Sequence, residues 1–436
     1  MAAESSDPRR VTQSVHPTGL RLALQAAPPG AESFAATLVT PGGWAYDPEG
    51  REGTAILLSL LQPSGAGRWD RRALDRQLDR MGATLTRRCH PESSEVSVWG
   101  PRELWPDLLE LLAAVVLEPR LETEDLERVR RQVYERQLRE ASQPESRAET
   151  ELARMVFPAG HPYRLSGLGT ARSVRRLGRS ELVDFHRRST SREGSLLVAT
   201  GAPRGPDFLR AVGRRWAEFP NERAPAAPRT PPVPRPTQRS RAIPLPGRAQ
   251  VEIRVGGPSV RRSAPNYPGV FLANEVLGGR PLLSRLFQKV REAKGLAYHA
   301  SSEFQAMRWG GYWVAGAGTG PERTEATERV VRAEVGRIAT ATVPSGELRR
   351  IRESAIGELP LALETTSGAH ELAVDIAYHG LADDFLQTWP QELRAVTPRS
   401  VREAAEEGLS LDGAVTVIAG PPAPPRSGRR RGGRAG

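Results

Sequence analysis

The sequence predicts an α+β protein of two similar, duplicated domains, each a mostly antiparallel sheet with helices packed on it. Two segments, starting at Gly82 and Gly295, share one pattern of alternating strands followed by an amphipathic helix, and a further helical segment with an acidic start follows each copy. A proline-rich stretch separates the two halves. A repeat of about 210 residues indicates gene duplication rather than a solenoid, whose repeats span about 20–50 residues.

The strand predictions rest on period-two alternation. Val96 and Val98 alternate with polar residues in the first copy, and Tyr312 and Val314 do so in the second. This pattern is typical of half-buried strands. Each copy is therefore expected to form two strands joined by a polar turn and followed by a helix.

The proline-rich stretch, residues 224–247, sets the domain boundaries. Proline at this density excludes a helix or a central strand and predicts an extended linker. The expected domains are residues 10–223 and residues 248–420. By composition, residues 421–436 are expected to be a disordered basic tail.

The charge is strongly basic, with a formal net charge of +11, and lysine occurs only at positions 289 and 294. Five of the arginines lie in the tail. A nucleic-acid partner is not expected, because no basic run outside the tail is interleaved with the aromatic residues that single-strand binding uses. A salt-dependent interaction of the tail with DNA remains an alternative.

Cysteine, histidine and apolar content narrow the function classes further. The single cysteine, Cys89, excludes an internal disulfide and a thiolate zinc cluster. None of the seven histidines has a partner four residues away, as a helical zinc motif requires. No secretory signal or membrane span is visible, so a cytoplasmic protein without a membrane partner is expected.

A helix–glycine–strand turn is the sharpest candidate for chemistry. In KVREAKGLAYHA, Arg291 closes a helix, Gly295 breaks it and Tyr298 lies on the next strand. Such a turn can point both side chains into the same space, where an arginine fork and a tyrosine hydroxyl can donate to a carbonyl oxygen. The spacing alone also fits a helix-terminal arginine and a packed tyrosine.

The stretch around this turn resembles the second-domain signature of the insulinase (pitrilysin) metallopeptidases, the inverzincins. In that family, a helix ending in arginine leads through Gly-Leu to a tyrosine seven residues later, here Arg291 and Tyr298. The resemblance spans about residues 10–420. Its landmarks are segments 49–61, 157–170, 191–203 and 274–302.

The chain departs from the family at the metal site. Active members carry His-x-x-Glu-His on the first helix, and a distal glutamate completes zinc binding. Here Ile56 and Leu60 occupy the places of the histidines, Ser59 that of the catalytic glutamate and Arg136 that of the distal ligand, with Glu135 one position away. No metal or other cofactor is therefore expected in this chain.

By resemblance, some family members are split between a zinc-bearing chain and a partner that lacks zinc but keeps the Arg/Tyr pair. This implies a heterodimer in which Arg291 and Tyr298 bind the carbonyl of an unfolded peptide in trans to a zinc-bearing paralogue. The chain alone is then expected to be inactive. A non-catalytic peptide-binding or scaffold protein, and an enzyme with an unrecognised metal site, remain as alternatives.

Overall fold

Two sheets form the framework of the computed structural model, which describes residues 7–203, 205–217, 219, 223–233, 239–292 and 294–422. The elements of the first half are β1 (Val11–Val15), β2 (Arg21–Gln25), β3 (Ser33–Thr40), α1 (Thr54–Leu61), β4 (Gly65–Ala66), β5 (Trp69–Asp70), α2 (Arg71–Met81), β6 (Thr84–Cys89), β7 (Ser94–Pro101), α3 (Trp105–Leu117), α4 (Thr123–Ser142), α5 (Pro144–Val156), α6 (Ala171–Arg176), α7 (Arg179–Ser189), β8 (Leu196–Thr200) and α8 (Pro206–Trp216).

The second half repeats much of this order. Its elements are β9 (Ser240–Pro244), β10 (Val251–Ser259), α9 (Tyr267–Asn274), β11 (Ala297–Ala306), β12 (Gly311–Thr319), α10 (Thr324–Thr340), α11 (Ser345–Ala362), α12 (Thr366–His379), α13 (Phe385–Ala395), α14 (Pro398–Gly408) and β13 (Val415–Gly420). Two π-helical turns, Glu275–Gly279 and Phe287–Glu292, lie between α9 and β11.

The strand orders confirm the predicted fold of two similar units. The first sheet runs β1-β2-β8-β3-β7-β6, and the second runs β9-β13-β10-β12-β11. Each sheet is antiparallel except for one parallel pair, β2 with β8 and β9 with β13, which lies at the same place in both. Strand β1 is the extra strand of the first sheet.

The segment predicted as a linker includes the edge strand β9. Ser240–Pro244 pairs in parallel with β13 and occupies the place that β2 has in the first sheet. An edge strand tolerates proline because one side of its backbone needs no ladder partner. Residues 234–238 of the linker and residues 423–436 of the predicted tail lie outside the described residues.

Each half buries its own core between a sheet and helices. Phe34, Leu108 and Trp216 join the first sheet to α3 and α8, and Trp313 and Val335 join the second sheet to α10. Burying a large apolar side chain of this kind contributes roughly 1.5–3 kcal/mol. Among the described helices, none combines the length and apolar character that crossing a bilayer requires.

The halves also exchange one helix each. Helix α5 of the first half packs on β10 and β13, through Ala148, Leu152 and Val156, and α12 of the second half packs on β2, β3 and β8. At the α12 contact, the ring nitrogens of the buried His370 lie 2.7 Å from Thr37 Oγ1 and 2.9 Å from Thr200 Oγ1. The exchange holds the two sheets in one fixed arrangement.

Candidate functional site

A cavity of about 720 Å³ opens between the two halves, and all four positions predicted to replace the metal ligands and the catalytic base line it. Ile56, Ser59 and Leu60 share one face of α1, because residues three and four apart on a helix are neighbours. Arg136 reaches the cavity from α4. The second half contributes the β11–β12 hairpin, through Gln305, Met307 and Tyr312.

The start of α1 is fixed by the side chain of Asp47. Its carboxylate accepts hydrogen bonds from the backbone N–H groups of Gly53 (2.6 Å) and Ala55 (2.8 Å), which satisfies donors that a helix start leaves open. Gly53 has φ 97°, a left-handed conformation that favours glycine. Burial raises the pKa of Asp47 to about 7, and the two N–H donors oppose the rise. The helix that faces the cavity is thus held at its first turn.

The lining of the cavity does not fit zinc. Ile56 and Leu60 offer no lone pair, whereas a zinc site needs three or four N, O or S donors. The Nε atom of Arg136 lies 3.1 Å from Oε1 of Glu140, so the nearest carboxylate on α4 is paired with a cation. Burial raises the pKa of Cys89 to about 12, which keeps the sulfur protonated and unfit for a metal. Across the described residues, no cluster of three His, Cys, Asp or Glu side chains could hold a metal ion.

The buried carboxylate of Glu92, in the β6–β7 turn, joins the halves beside the cavity. It accepts hydrogen bonds from the backbone N–H groups of Arg308 (3.0 Å) and Trp309 (3.3 Å), in the β11–β12 turn. The hydroxyls of Tyr163 and Tyr378 also donate to it. Burial, together with the Glu92 charge, raises the pKa of both tyrosines, so their hydroxyls stay protonated and available as donors.

The structure brings Arg291 and Tyr298 together, but away from the cavity. The guanidinium carbon of Arg291 lies 5.6 Å from the centroid of the Tyr298 ring and 5.0 Å from that of Phe287, within the range of cation–π attraction. As predicted, the helical segment ends just after Arg291, and Gly295, with φ 54°, precedes the strand β11. Neither residue of the pair lines the cavity.

A β-bulge sets the direction of Tyr298. The register between β11 and β12 shifts between Ala297 and His299, so Tyr298 is the extra residue. Its side chain is 76% exposed. Bulges redirect side chains and are common beside functional sites. The sequence placed the tyrosine on the strand but gave no sign of the bulge.

Two family models match the chain over most of its length. Residues 21–161 match the model described as "Insulinase (Peptidase family M16)", and residues 176–355 match the model described as "Peptidase M16 inactive domain". The chain has the two domains of the M16 peptidase family.

Relatives and solved structures agree with this assignment. An uncharacterized zinc protease of Mycobacterium tuberculosis is 30% identical over 271 residues, and the match spans 60% of each chain. An uncharacterized zinc protease of Streptomyces coelicolor is 28% identical over 58% of this chain and 55% of that protein. The chain thus covers well under two thirds of these curated relatives.

The fold is shared with two solved structures. A peptidase M16 inactive domain from Pseudomonas fluorescens has a TM-score of 0.87 at 22% identity, and the match covers 94% of this chain and 98% of that one. A protease from Helicobacter pylori has a TM-score of 0.86 at 16% identity, over 94% and 99%. At these identities the likeness shows the M16 fold alone.

Two residues of this M16 site were missed by sequence reasoning. Glu92 has bonding partners 71 to 286 residues away, and no local pattern predicts such contacts. Arg87 lines the cavity from β6, where the Arg-Arg pair at positions 87 and 88 interrupts an otherwise strand-like segment. Two adjacent arginines on a half-buried strand were the available signal.

Proposed function

We propose that this chain is the non-zinc, substrate-binding subunit of a heterodimeric M16 peptidase. In this role it supplies Arg291 and Tyr298 in trans to the zinc site of a paralogous subunit, for hydrolysis of unfolded peptides in the cytoplasm. The observation that carries the proposal is the exposed Arg291–Tyr298 pair, turned outward by a bulge at the edge of the second sheet.

The position of the pair supports action on another chain. Gln305 lines the cavity near the other end of β11, seven residues from Tyr298. At about 3.3 Å per residue, a strand places these two residues roughly 20 Å apart. The pair thus lies well away from the cavity-lining end of its own strand, and its exposure leaves it open to a partner's bound peptide.

The chemistry of the pair suits a peptide carbonyl. The arginine fork and the tyrosine hydroxyl are both donors, and hydrolysis turns the carbonyl oxygen into an oxyanion. The ring–cation contact keeps the two donors side by side. The partner's zinc would supply Lewis-acid chemistry, and this chain would hold the peptide and stabilise the developing charge.

The test compares Tyr298→Phe with the unaltered chain, each mixed with a co-purified zinc-bearing paralogue. Loss of one oxyanion donor is expected to lower turnover by about 10- to 1000-fold. Tyr134→Phe is the matched control, because among the described residues its hydroxyl donates only to the Ala171 carbonyl, within the first half. Each chain alone is expected to be inactive. Unchanged turnover with Tyr298→Phe would show that the pair has no part in catalysis.

The alternative is a non-catalytic peptide-binding or scaffold protein of the same fold. The cavity between the halves supports it, because a cavity of this size can hold a peptide segment without any hydrolysis. The same assay separates the two functions. A scaffold retains peptides in the mixture and leaves the paralogue's turnover unchanged when it is added.

A further inference from the structure

The cavity contains a cation without a partner. Arg87 lines it from the edge strand β6, on the strand face that also carries Leu85 and Cys89. Its Nε atom is buried and has no hydrogen-bond partner, and no ion pair to Arg87 is found within the described parts of the chain. Burial lowers the pKa of Arg87, and the positive charge of the nearby Arg128 lowers it further.

Three further arginines line the same cavity, and their charges are only partly balanced. Arg88 and Arg136 each contact one carboxylate, Glu371 at 2.7 Å and Glu140 at 3.1 Å. Arg164 donates to the carbonyl oxygens of Arg154 and Phe157, which carry no full charge. Against the four arginines of the lining, the described residues place three carboxyl groups, Glu140 and Glu149 in the lining and Glu371 beside Arg88.

Glu149 is the carboxyl of the lining that lies on α5, and burial raises its pKa. The remaining wall near α1 is aliphatic, from Ile56 and Leu60, and cannot screen a charge. The position beside α1, where the resemblance predicts a metal in active members, is therefore electropositive in this chain.

An unpaired, partly buried cation costs free energy, which an anionic ligand offsets. Guanidinium groups match carboxylates best, because two parallel N–H donors meet two oxygens. We infer that this cavity binds a carboxylate of the peptide, with Arg87 as the principal contact. The inference rests on the proposed function only in taking a peptide as the ligand.

The test measures peptide binding to the isolated chain by fluorescence anisotropy, without any partner or turnover. Four labelled peptides of one sequence carry either a free or an amidated C-terminus, and either glutamate or glutamine at one position. The peptide with both carboxylates is expected to bind about 10- to 100-fold more tightly than the peptide with neither. The two intermediate peptides identify whether the terminus or the side chain is the group bound.

Variants then locate the site. Arg87→Gln is expected to remove the carboxylate preference, Arg87→Lys to keep part of it, and Arg72→Gln, on the exposed surface of α2, to leave it unchanged. The preference should weaken as salt is raised. Glu149→Gln, which removes the opposing carboxyl, is expected to strengthen it.

The outcomes separate this inference from the proposed function. If the unaltered chain binds peptides equally tightly with and without carboxylates, the carboxylate inference is wrong, while the proposed function is not affected. This outcome does not depend on the folding of any variant. A carboxylate preference that survives Arg87→Gln overturns the assignment to this cavity. A chain that binds none of the four peptides contradicts both the inference and a peptide-binding role. Loss of turnover with Tyr298→Phe tests the other site separately.

Discussion

The β6–β7 and β11–β12 hairpins occupy equivalent places in the two sheets, but their edge strands have diverged. Strand β6 keeps an unbroken register with β7 and points Arg87 inward to the cavity beside α1. Strand β11 contains a bulge that turns Tyr298 outward, next to Arg291. One duplicated edge therefore presents its side chain to the cavity, while the other presents its side chain to solvent.

On the proposed function, this difference separates two parts of one active site between the halves. The first half has aliphatic and cationic side chains at the predicted ligand positions. The second half presents a pair of donors in an exposed position. The two hairpins nevertheless remain tied together at their tips, because the Glu92 carboxylate of one accepts from the backbone of the other.

The largest expected effect comes from placing metal ligands in the first half, which would remove its main difference from a zinc-binding domain. Ile56→His, Ser59→Glu and Leu60→His together restore two imidazoles and a general base on one helix face. Zinc binding is expected to stay weak until Arg136→Glu is added, because only then is there a third ligand in place of a facing cation. Equilibrium dialysis should show zinc affinity at least about 100-fold higher in the quadruple variant than in the triple variant.

The triple variant is thus the matched control for Arg136. If both variants bind zinc equally tightly, Arg136 is not what keeps the metal out. Circular dichroism of both proteins checks that α1 still folds with polar residues at the half-buried positions 56 and 60 and at the buried position 59.

Removing the hydrogen bonds that Glu92 accepts from the other hairpin tests whether the two hairpins are stable as one unit. Glu92→Ala leaves two hydroxyls and two backbone N–H groups without their acceptor, and this buried site admits little water. The expected loss in the free energy of unfolding is about 2–4 kcal/mol, measured by urea denaturation. Glu103→Gln, at an exposed carboxylate of the same half, is the control and should change it by less than about 0.5 kcal/mol.

A loss no larger than that of the control would mean that other contacts hold the hairpin tips. The same variant also tests the cavity, because Glu92 lies directly beside Pro91, which lines it. Looser hairpins are expected to weaken peptide binding.

The sequence predicted local structure well because the relevant signals are local. Alternation at Val96 and Val98 and at Tyr312 and Val314 located both hairpins, and Gly295 located the turn before β11. Local patterns did not predict that Arg136 lies beside Ile56, Ser59 and Leu60. Only the resemblance to a family predicted this. Local patterns also could not predict the exchange of α5 and α12, since packing between halves depends on residues hundreds of positions apart.

The bulge at Tyr298 and the contacts of Glu92 could not be predicted from the sequence, because both depend on residues that are distant in the chain. A bulge depends on the register of a partner strand, and the periodicity around Tyr298 is that of an ordinary strand. The acceptor role of Glu92 depends on Tyr163, Tyr378 and the turn at Arg308. In the sequence it is simply a polar residue of a predicted turn.

The contacts of the two exchanged helices, α5 and α12, should also differ in how they respond to salt and to pH. Helix α5 contacts the second half through ion pairs, Glu145 with Arg254 (2.8 Å) and Glu151 with Arg241 (2.5 Å). Helix α12 contacts the first sheet through the neutral ring of His370, whose pKa burial lowers to about 3. The first attachment should therefore respond mainly to salt. The second also has the exposed Arg88–Glu371 ion pair, but its buried His370 should make it respond mainly to acid.

The lowered pKa of His370 determines the direction in which stability changes with pH. Between the unfolded pKa of about 6.5 and the folded value, only the unfolded chain binds the proton, so stability falls as the pH falls. From pH 6.5 to pH 5 this group is expected to remove roughly 2 kcal/mol from the free energy of unfolding. His370→Gln should lose that part of the pH dependence, as seen in urea denaturation at both pH values. An imidazole NMR signal of His370 that titrates near pH 6 would contradict the prediction, because the ring between Thr37 and Thr200 would then accept a proton without unfolding.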